Sequence, residues 1–492
     1  MERESGGNRA LISDSKLAIV ILAAGKGKRL KSQRAKVLHE VGGKPLLAHV
    51  IAAASKIVAP SDIFAVIGHQ AEQVRTALGK SGVNFVEQRD QRGTGHAVQS
   101  ARDAISGYEN VIVLSGDAPL VRPETIEELC EFHQAEHAAM TLVSAEPEQS
   151  TGYGRVIRKS TDSYPSDQNQ SPGTPSSSEV VAIVEQKMLN SEQLSLREVN
   201  MGMYAFRTAP LLAHLGELAP DNPHGELYLT DMAAVLHRAG ERVVALKTDD
   251  ANELLGANTI AELVALDASL RMATVHRLMD SGVTIFRPET CTIDAEVEVG
   301  PDTVIEPFVQ LLGRTRVGSD CLIRSYTVVE NCTVGNKVIL RQSCVLAESS
   351  IADGADIGPF ARMRPGCEIG EQVHIGNFVE VKKSKLGKGV KAGHLAYLGD
   401  SEIGAAANIG AGVITCNYDG QKKHLTRIGA GSFVGSDSTL VAPLTIGDGT
   451  YIAAGSCITH DVPADALAVA RARQVIKEGW AAARRAKNSE KK

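Results

Sequence analysis

Between positions 293 and 458 an aliphatic residue returns every sixth position. It reads Ile293, Val299, Ile305, Leu311, Val317, Ile323 and Val329, slips by one, and resumes at Val334, Leu340 and Leu346. A second slip leads into Ile351, Ile357, Met363, Ile369, Ile375 and Val381, and a last stretch runs Ile428, Val434, Leu440, Ile446, Ile452 and Ile458. Glycine commonly follows the aliphatic residue (Gly300, Gly318, Gly335), and the fourth residue after it is small or β-branched (Thr303, Cys321, Thr327). No helix has that period. Six residues fit one flat side of a triangular coil, a short parallel strand plus a corner, so three hexapeptides predict one turn of a β-helix. Stacked at the ordinary interstrand spacing, about nine turns should rise on the order of 40 Å, with the aliphatic residues filling the axis. The period by itself is met equally by a purely structural prism.

The N-terminal half follows another pattern. Apolar, β-rich runs LAIVIL (17–22), IFAVIG (63–68), NVIVLSGD (110–117) and MTLVSA (140–145) alternate with helix-like segments such as PLLAHVIAAASKI and AEQVRTALG. Fully apolar strands alternating with helices predict a parallel sheet covered on both faces, a doubly wound, Rossmann-like α/β domain. Ligands of such sheets sit at the carboxyl ends of the strands, so chemistry is expected just after Leu22, Gly68 and Leu114. Between the halves, apolar residues at helical spacing predict a long linker helix over 258–282, ending at Gly282. The expected layout is a ragged leader over 1–16, an α/β domain over 17–257, the linker, a β-helix over 283–465 and a tail over 466–492. Residues 160–179 are rich in Ser, Pro, Asp and Gln and read as a disordered insertion where a short hairpin turn would suffice. The basic tail from Trp480 onward is expected to fray at its end, with Trp480 free to dock on a neighbouring prism.

Composition narrows the partners. The 492 residues exceed one core, no apolar run approaches a membrane span, and the first sixteen residues lack the form of a secretory signal. Eight cysteines lie scattered without metal-ligand spacing, with Cys321, Cys344 and Cys367 at small inward positions of the repeat. They predict buried thiols and a reducing, cytoplasmic setting. A net charge of −6 and 4% aromatics argue against nucleic acid.

After the first strand comes LAAGKGKRL, with Lys36 beyond it in AKVLH. Ala23, Ala24, Gly25 and Gly27 let backbone N–H groups approach a triphosphate, and Lys26, Arg29 and Lys36 bring positive charge to it. Neither a Walker A loop nor a GxGxxG fingerprint is present. LAAGKGKR followed by KVLH resembles the signature of the sugar-nucleotide pyrophosphorylases. In order there follow Gln88 ahead of GTGHA (93–97), LSGDAPL around Asp117, GYGR (152–155), VEQK (184–187), VNMGMY (199–204) and ELYLTD (226–231). Joined to a hexapeptide prism carrying GHLAYLGD and CNYDG, this series is similar to one family: the bacterial bifunctional N-acetylglucosamine-1-phosphate uridylyltransferases and glucosamine-1-phosphate N-acetyltransferases. The prism likewise resembles the left-handed hexapeptide-repeat acyltransferases, whose trimers place acyl-CoA sites between neighbouring prisms.

The resemblance implies two sites. In the first, N-acetylglucosamine 1-phosphate attacks the α-phosphorus of UTP, pyrophosphate leaves, and UDP-N-acetylglucosamine forms. Mg²⁺ needs hard oxygen ligands. Asp117, at the end of a predicted strand, supplies one, and Asn258 in GAN matches the family's second. Arg29 and Lys36 match the positions that stabilise phosphate charge; Leu22, Ala23, Ala24 and Gly25 form the nucleotide loop. Gln88, Gly93 and Thr94 match positions that read uracil, and Gly154, Glu185 and Asn200 those that hold the sugar. The family usually has proline before the KVLH lysine; this chain has Ala35, which should loosen the loop.

The second site is expected where the repeat is broken, at AGHLAYLGD (392–400) and in the excursion CNYDGQKKHLTR (416–427). Acetyl transfer from acetyl-CoA requires the ammonium of glucosamine 1-phosphate to lose a proton, and histidine titrates in the useful range. By resemblance His394 is that base, Glu380 its orienting carboxylate, Arg364 and Lys382 the phosphate ligands, and Tyr397 and Asn408 the sugar contacts. Ala411, Asn417, Tyr418, Ser436, Ala454 and Arg471 match positions around acetyl-CoA. The resemblance further implies a homotrimer with small-molecule substrates, without membrane insertion, whose product feeds peptidoglycan and lipopolysaccharide synthesis. Two other readings are a single-activity sugar-1-phosphate nucleotidyltransferase with a structural or regulatory β-helix, and a non-catalytic scaffold; the phosphate loop, His394 and the NYDG loop speak against them.

Overall fold

The computed structural model describes residues 16–159 and 179–489. Two compact units divide the chain, residues 1–270 and 271–492. Of the expected leader over 1–16 and the expected insertion over 160–179, residues 1–15 and 160–178 lie outside the described residues.

The first unit is built on a sheet of nine strands: β1 (Leu17–Ala23), β2 (Ile63–Ile67), β3 (Asn84–Glu87), β4 (Asn110–Ser115), β5 (Met140–Ala145), β6 (Arg155–Arg158), β7 (Val180–Val184), β8 (Val199–Arg207) and β9 (Val243–Lys247). The main path runs β9-β5-β8-β4-β1-β2-β3, and β6 pairs with β8 and with β7. Strand β1 lies between β2 and β4, parallel to both, and is buried along almost its whole length, as its unbroken apolar run requires. The expected all-parallel sheet needs correction at β8, which runs antiparallel between β4 and β5, and at β7, which runs antiparallel to β6. The chain leaves β5 through the antiparallel β6–β7 ribbon and enters β8 without a crossover helix, so it must return in the opposite direction. Glu179 already belongs to that ribbon, its carbonyl accepting the Lys159 N–H at 2.9 Å. Helices α1 (Leu46–Ala54), α2 (Ala71–Leu78), α3 (Thr94–Ser100), α4 (Pro123–Ala135) and α5 (Met232–Arg238) supply the other walls of two apolar cores. Helix α6 (Ile260–Asp280) begins in the first unit and ends in the second.

In the second unit each coil visits three parallel sheets in turn, of eleven, ten and nine strands. Every aliphatic residue of the six-residue series is buried in one continuous core, and burial of each side chain contributes about 1.5–3 kcal/mol. Both slips are absorbed in register: Val317 stacks under Val334 and Val334 under Ile351, each of these coils being one residue shorter than the coil from Val299 to Val317. The excursion is shorter than the expected 416–427: Cys416 still stacks with Val441 and Thr426–Ile428 with Ser401–Ile403, so the chain leaves the coils only over 417–425. Glycine after the aliphatic residue reflects the stacking itself; a Cβ on Gly318 would lie 2.6 Å from the carbonyl oxygen of Gly335. The coils extend beyond the expected 283–465, because Leu467–Ala468 pairs with Tyr451–Ile452. Chain beyond it is largely exposed through helix α7 (Trp480–Ser489).

Candidate functional site

In the first unit the loop after β1 borders a cavity of about 660 Å³ at the carboxyl ends of the strands. Leu22, Ala23, Ala24, Gly25, Arg29, Lys36, Gln88, Gly93, Thr94 and Asp117 all line it, as do Lys26 and Lys28. Lys26, Lys28 and Arg29 form no ion pair among the described residues, so the wall presents uncompensated cations of the kind a polyphosphate neutralises. Gly27 is fixed by conformation and space together: its φ is +59°, and a Cβ there would stand 2.8 Å from Cβ of Lys36. Ala35 holds φ −54°, inside the window a proline ring imposes, so the loop before Lys36 keeps its path without the ring.

Lys36 is the hub. Its ammonium pairs with the Asp117 carboxylate and donates to Asn258 Oδ1 at 2.9 Å. Two hard oxygens from segments far apart in sequence therefore converge on one cation. Among the described residues no group of three or more His, Cys, Asp or Glu is placed to hold a metal. Mg²⁺ keeps several waters and takes one or two protein oxygens plus substrate phosphates, so this sparse oxygen set fits it. Gly256 gives Asp117 its room, since a Cβ there would lie 2.7 Å from Oδ2.

The other matched residues lie on either side. Gln88 is buried, and its amide nitrogen is used within the loop, on the Gly93 carbonyl and on His96 Nδ1, each at 3.0 Å. Thr94 Oγ1 accepts the Leu229 N–H. Gly93, at φ +106°, packs so closely on Leu227 that a Cβ would be 2.5 Å from its carbonyl oxygen. Gly154, Glu185 and Asn200 are not among the residues lining the cavity but adjoin one another: the Asn200 N–H donates to the Gly154 carbonyl, and Thr230 donates to Glu185 at 3.1 Å. Burial raises the Glu185 carboxyl above its usual range, a shift the Thr230 hydrogen bond opposes. Ser115, His224 and Glu226 also line the cavity; Ser115 and Glu226 sit inside quoted motifs, whereas His224 carries no sequence signal.

In the second unit the repeat explains the placement of the site. At one corner of each coil a residue adopts the left-handed conformation: Phe378, Leu395, Gly412, Asp437 and Gly455. The residues immediately before them are Asn377, His394, Ala411, Ser436 and Ala454. Expected base and expected acetyl-CoA contacts thus occupy equivalent positions on successive coils, one column rising roughly 4.7 Å per step. Arg471 belongs to the same end of the column, its Cδ 3.9 Å from where a Gly455 Cβ would be. His394 is exposed, and its Nδ1 meets Asn377 Oδ1 at 2.8 Å. Asn408 lies on the same sheet, in register with Lys391.

One expectation is not met in this structure. Glu380 is engaged by Arg364 at 3.2 Å, and the group oriented toward His394 is the Asn377 amide. The reason is register: Asn377 stacks directly under His394 at the end of one sheet, whereas Glu380 stacks under Tyr397 in the next. Asn377 was detectable only as the residue one coil below His394. Lys423, on the excursion, was also missed. It approaches Lys382 and is the first cause, ahead of desolvation and the charge of Arg364, that lowers the Lys382 pKa. Lys382 thus lies near Lys423 and Arg364, of which Arg364 is already paired with Glu380, and the Asp400 carboxylate partly offsets their charge. Asn417 is nearly buried and donates to the Asp400 carboxylate, while Tyr418 is exposed. The loop between them and the stack is tied by Asp419, which accepts the Gln421 and Lys422 N–H groups and pairs with His424 at 2.7 Å. These bonds hold the Asp419 carboxyl well below the usual range.

Residues 19–188 match the MobA-like NTP transferase domain, and residues 425–460 match the bacterial transferase hexapeptide (six repeats). The chain is 57% identical over 482 residues to the "Bifunctional protein GlmU" of Koribacter versatilis, covering 98% of this chain and 100% of that protein. Its identity to the protein of the same name from Solibacter usitatus is 50%, over 95% of this chain and 97% of that one. For Streptococcus agalactiae serotype V it is 43%, over 94% and 97%. With nearly the full length of both chains aligned at such identities, the nucleotidyltransferase half and the left-handed hexapeptide prism form one inherited unit: this chain belongs to the family of proteins named "Bifunctional protein GlmU".

Proposed function

We propose that the chain makes UDP-N-acetylglucosamine by two transfers at two separate sites. What supports this reading is a cation-lined cavity in the first unit and, in the second, an exposed histidine held by Asn377 on coils whose adjoining sheet carries Arg364 and Lys382. A merely structural prism would have no use for the latter.

At the prism, Arg364, Lys382 and Lys423 take the phosphate of glucosamine 1-phosphate. His394 accepts the proton from its ammonium, with Asn377 fixing the ring. The amine then attacks the thioester carbonyl of acetyl-CoA, the new C–N bond forms, and the C–S bond breaks with CoA thiolate leaving. Ala411, Ser436 and Ala454 offer the small side chains along which the cofactor's arm can lie, toward Asn417, Tyr418 and Arg471.

At the α/β unit, a phosphate oxygen of N-acetylglucosamine 1-phosphate attacks the α-phosphorus of UTP, and the bond to pyrophosphate breaks in line. Arg29, Lys26 and Lys36 neutralise the triphosphate. Gln88, with both amide hydrogens used inside the loop, offers its oxygen to a uracil N–H. Gly154, Glu185 and Asn200 hold the sugar. Asp117 and Asn258 would hold Mg²⁺, which supplies charge neutralisation when bound; Lys36 is then released to the phosphates.

The acetyl site is completed by neighbouring copies in a homotrimer. His394 stands exposed on a single prism, and the exposed corner residues Phe308 and Tyr326 and then, beyond Ser343, Phe360, Phe378 and Leu395 form two apolar stretches of one column. All eight cysteines are free thiols, and no helix among the described residues is long and apolar enough to cross a membrane; we place the reactions in the reducing cytoplasm. Asp117→Ala should abolish uridylyl transfer and spare acetyl transfer, and His394→Ala should do the reverse. Loss of both activities from either change in a folded protein would refute the two-site reading.

A further inference from the structure

Asp117 and Asn258 are far apart in sequence, and neither is in a long regular element, so something must fix their separation. Glu253 is placed to do so. It lies just before Gly256, is 5% exposed, and receives Arg122 through two bonds, Nε to Oε2 at 2.7 Å and Nη2 to Oε1 at 3.2 Å. The Thr125 hydroxyl adds a third, at 2.7 Å to Oε2. Arg122 and Thr125 open helix α4, which directly follows the Asp117 loop. A buried carboxylate is tolerated only when so paired, and the planar guanidinium fork fixes direction as well as distance.

The downstream side of Asn258 is held as well. Glu262 accepts the Asn258 N–H at 2.6 Å and the Thr259 N–H at 3.3 Å, while Thr259 Oγ1 accepts the Glu262 N–H, the reciprocal pattern of a capping box at the start of α6. Between the two anchors the Ala257 N–H reaches the Asp117 carbonyl at 3.4 Å, and Gly256 lies against the Asp117 carboxylate. The strap 253–262 is therefore clamped at both ends, with the oxygen of Asn258 presented between.

We propose that Glu253, acting through Arg122 and Thr125, is a positioning residue of the uridylyl site: it docks the strap bearing Asn258 onto the loop bearing Asp117 and so sets the affinity of that oxygen pair for a divalent cation. This rests on the assignment of Asp117 and Asn258 to cation binding. Groups that orient metal ligands typically change affinity by about 10–100-fold when removed. The test is titration of the full chain with Mn²⁺ alone, free ion being read by electron paramagnetic resonance, alongside acetyl transfer from the other unit as a control for folding and concentration. Glu253→Gln, which keeps the shape but loses the charge, should weaken Mn²⁺ binding at least tenfold. Arg122→Lys, a point charge in place of a fork, should weaken it several-fold. Both should leave acetyl transfer unchanged. Arg122 is 58% exposed on its side chain, so its variant decides the matter if the glutamate variant does not fold. Mn²⁺ binding within twofold of wild type in the folded variants, while Asp117→Asn abolishes it, overturns the proposal. Wild-type binding that is absent, or that survives Asp117→Asn, overturns the cation assignment beneath it.

Discussion

Gly256→Ala isolates a single contact in the uridylyl site. Gly256 has no left-handed backbone to strain, so the added methyl acts through space alone. That methyl would stand 2.7 Å from Oδ2 and 3.0 Å from Cγ of Asp117, where ordinary contact begins at 3.4 Å. The carboxylate must therefore retreat by about 0.7 Å, or the strap must lift by as much. Either motion moves Asp117 relative to Asn258 and Lys36, the three groups that meet at one point. A misplacement on the order of 1 Å costs roughly 100-fold in rate, equivalent to about 2.7 kcal/mol of transition-state stabilisation. We expect kcat/KM for uridylyl transfer, followed by pyrophosphate release, to fall about that far. Acetyl transfer by the same preparation should be unchanged, because the second unit has its own core. Uridylyl transfer within threefold of wild type, in a protein with normal acetyl transfer, would show that the Asp117 position is not critical and would refute the reasoning.

Mixing His394→Ala chains with Asn417→Ala chains should restore part of the acetyltransferase activity if the site is shared between copies; mixed trimers that form without recovery would put both residues in one chain's site. His133, buried in α4 with Nδ1 at 2.8 Å from Thr141 Oγ1, is held down to about 4 by burial and then by the charge of Arg207. Its folded value lies below the unfolded 6.5, so its contribution is complete above 6.5 and is lost as pH falls toward 4. Thermal unfolding from pH 7 to 4 should show the first unit losing up to about 3 kcal/mol from this group, and His133→Gln should flatten that slope; an unchanged slope would contradict it.

Much of both units was legible in the sequence, for reasons tied to particular residues. A period of six leaves only one way to bury Ile293, Val299 and Ile305 together, and the apolar runs of β1 and β4 admit burial only from both sides. The strand path was less legible: β8 reads like any apolar strand, and its antiparallel sense depends on the ribbon that delivers it. Motifs singled out Lys36, Asp117 and His394 because each sits at a chain feature, a strand end or a corner, that local pattern marks.

What local pattern could not carry is which side chains meet. Lys36 reaches Asp117 and Asn258, and Glu253 reaches Arg122, across sequence separations that only the assembled sheet and its loops bring to bonding distance. In the prism the decisive quantity is stacking register. Parallel strand pairing puts Asn377 rather than Glu380 beneath His394 and aligns Ala411, Ser436 and Ala454 above it. Apolar periodicity is a one-dimensional property, so the chain alone determined the coils and the strands. Partnership between side chains is set by distances in space, and those came from how the coils and loops pack.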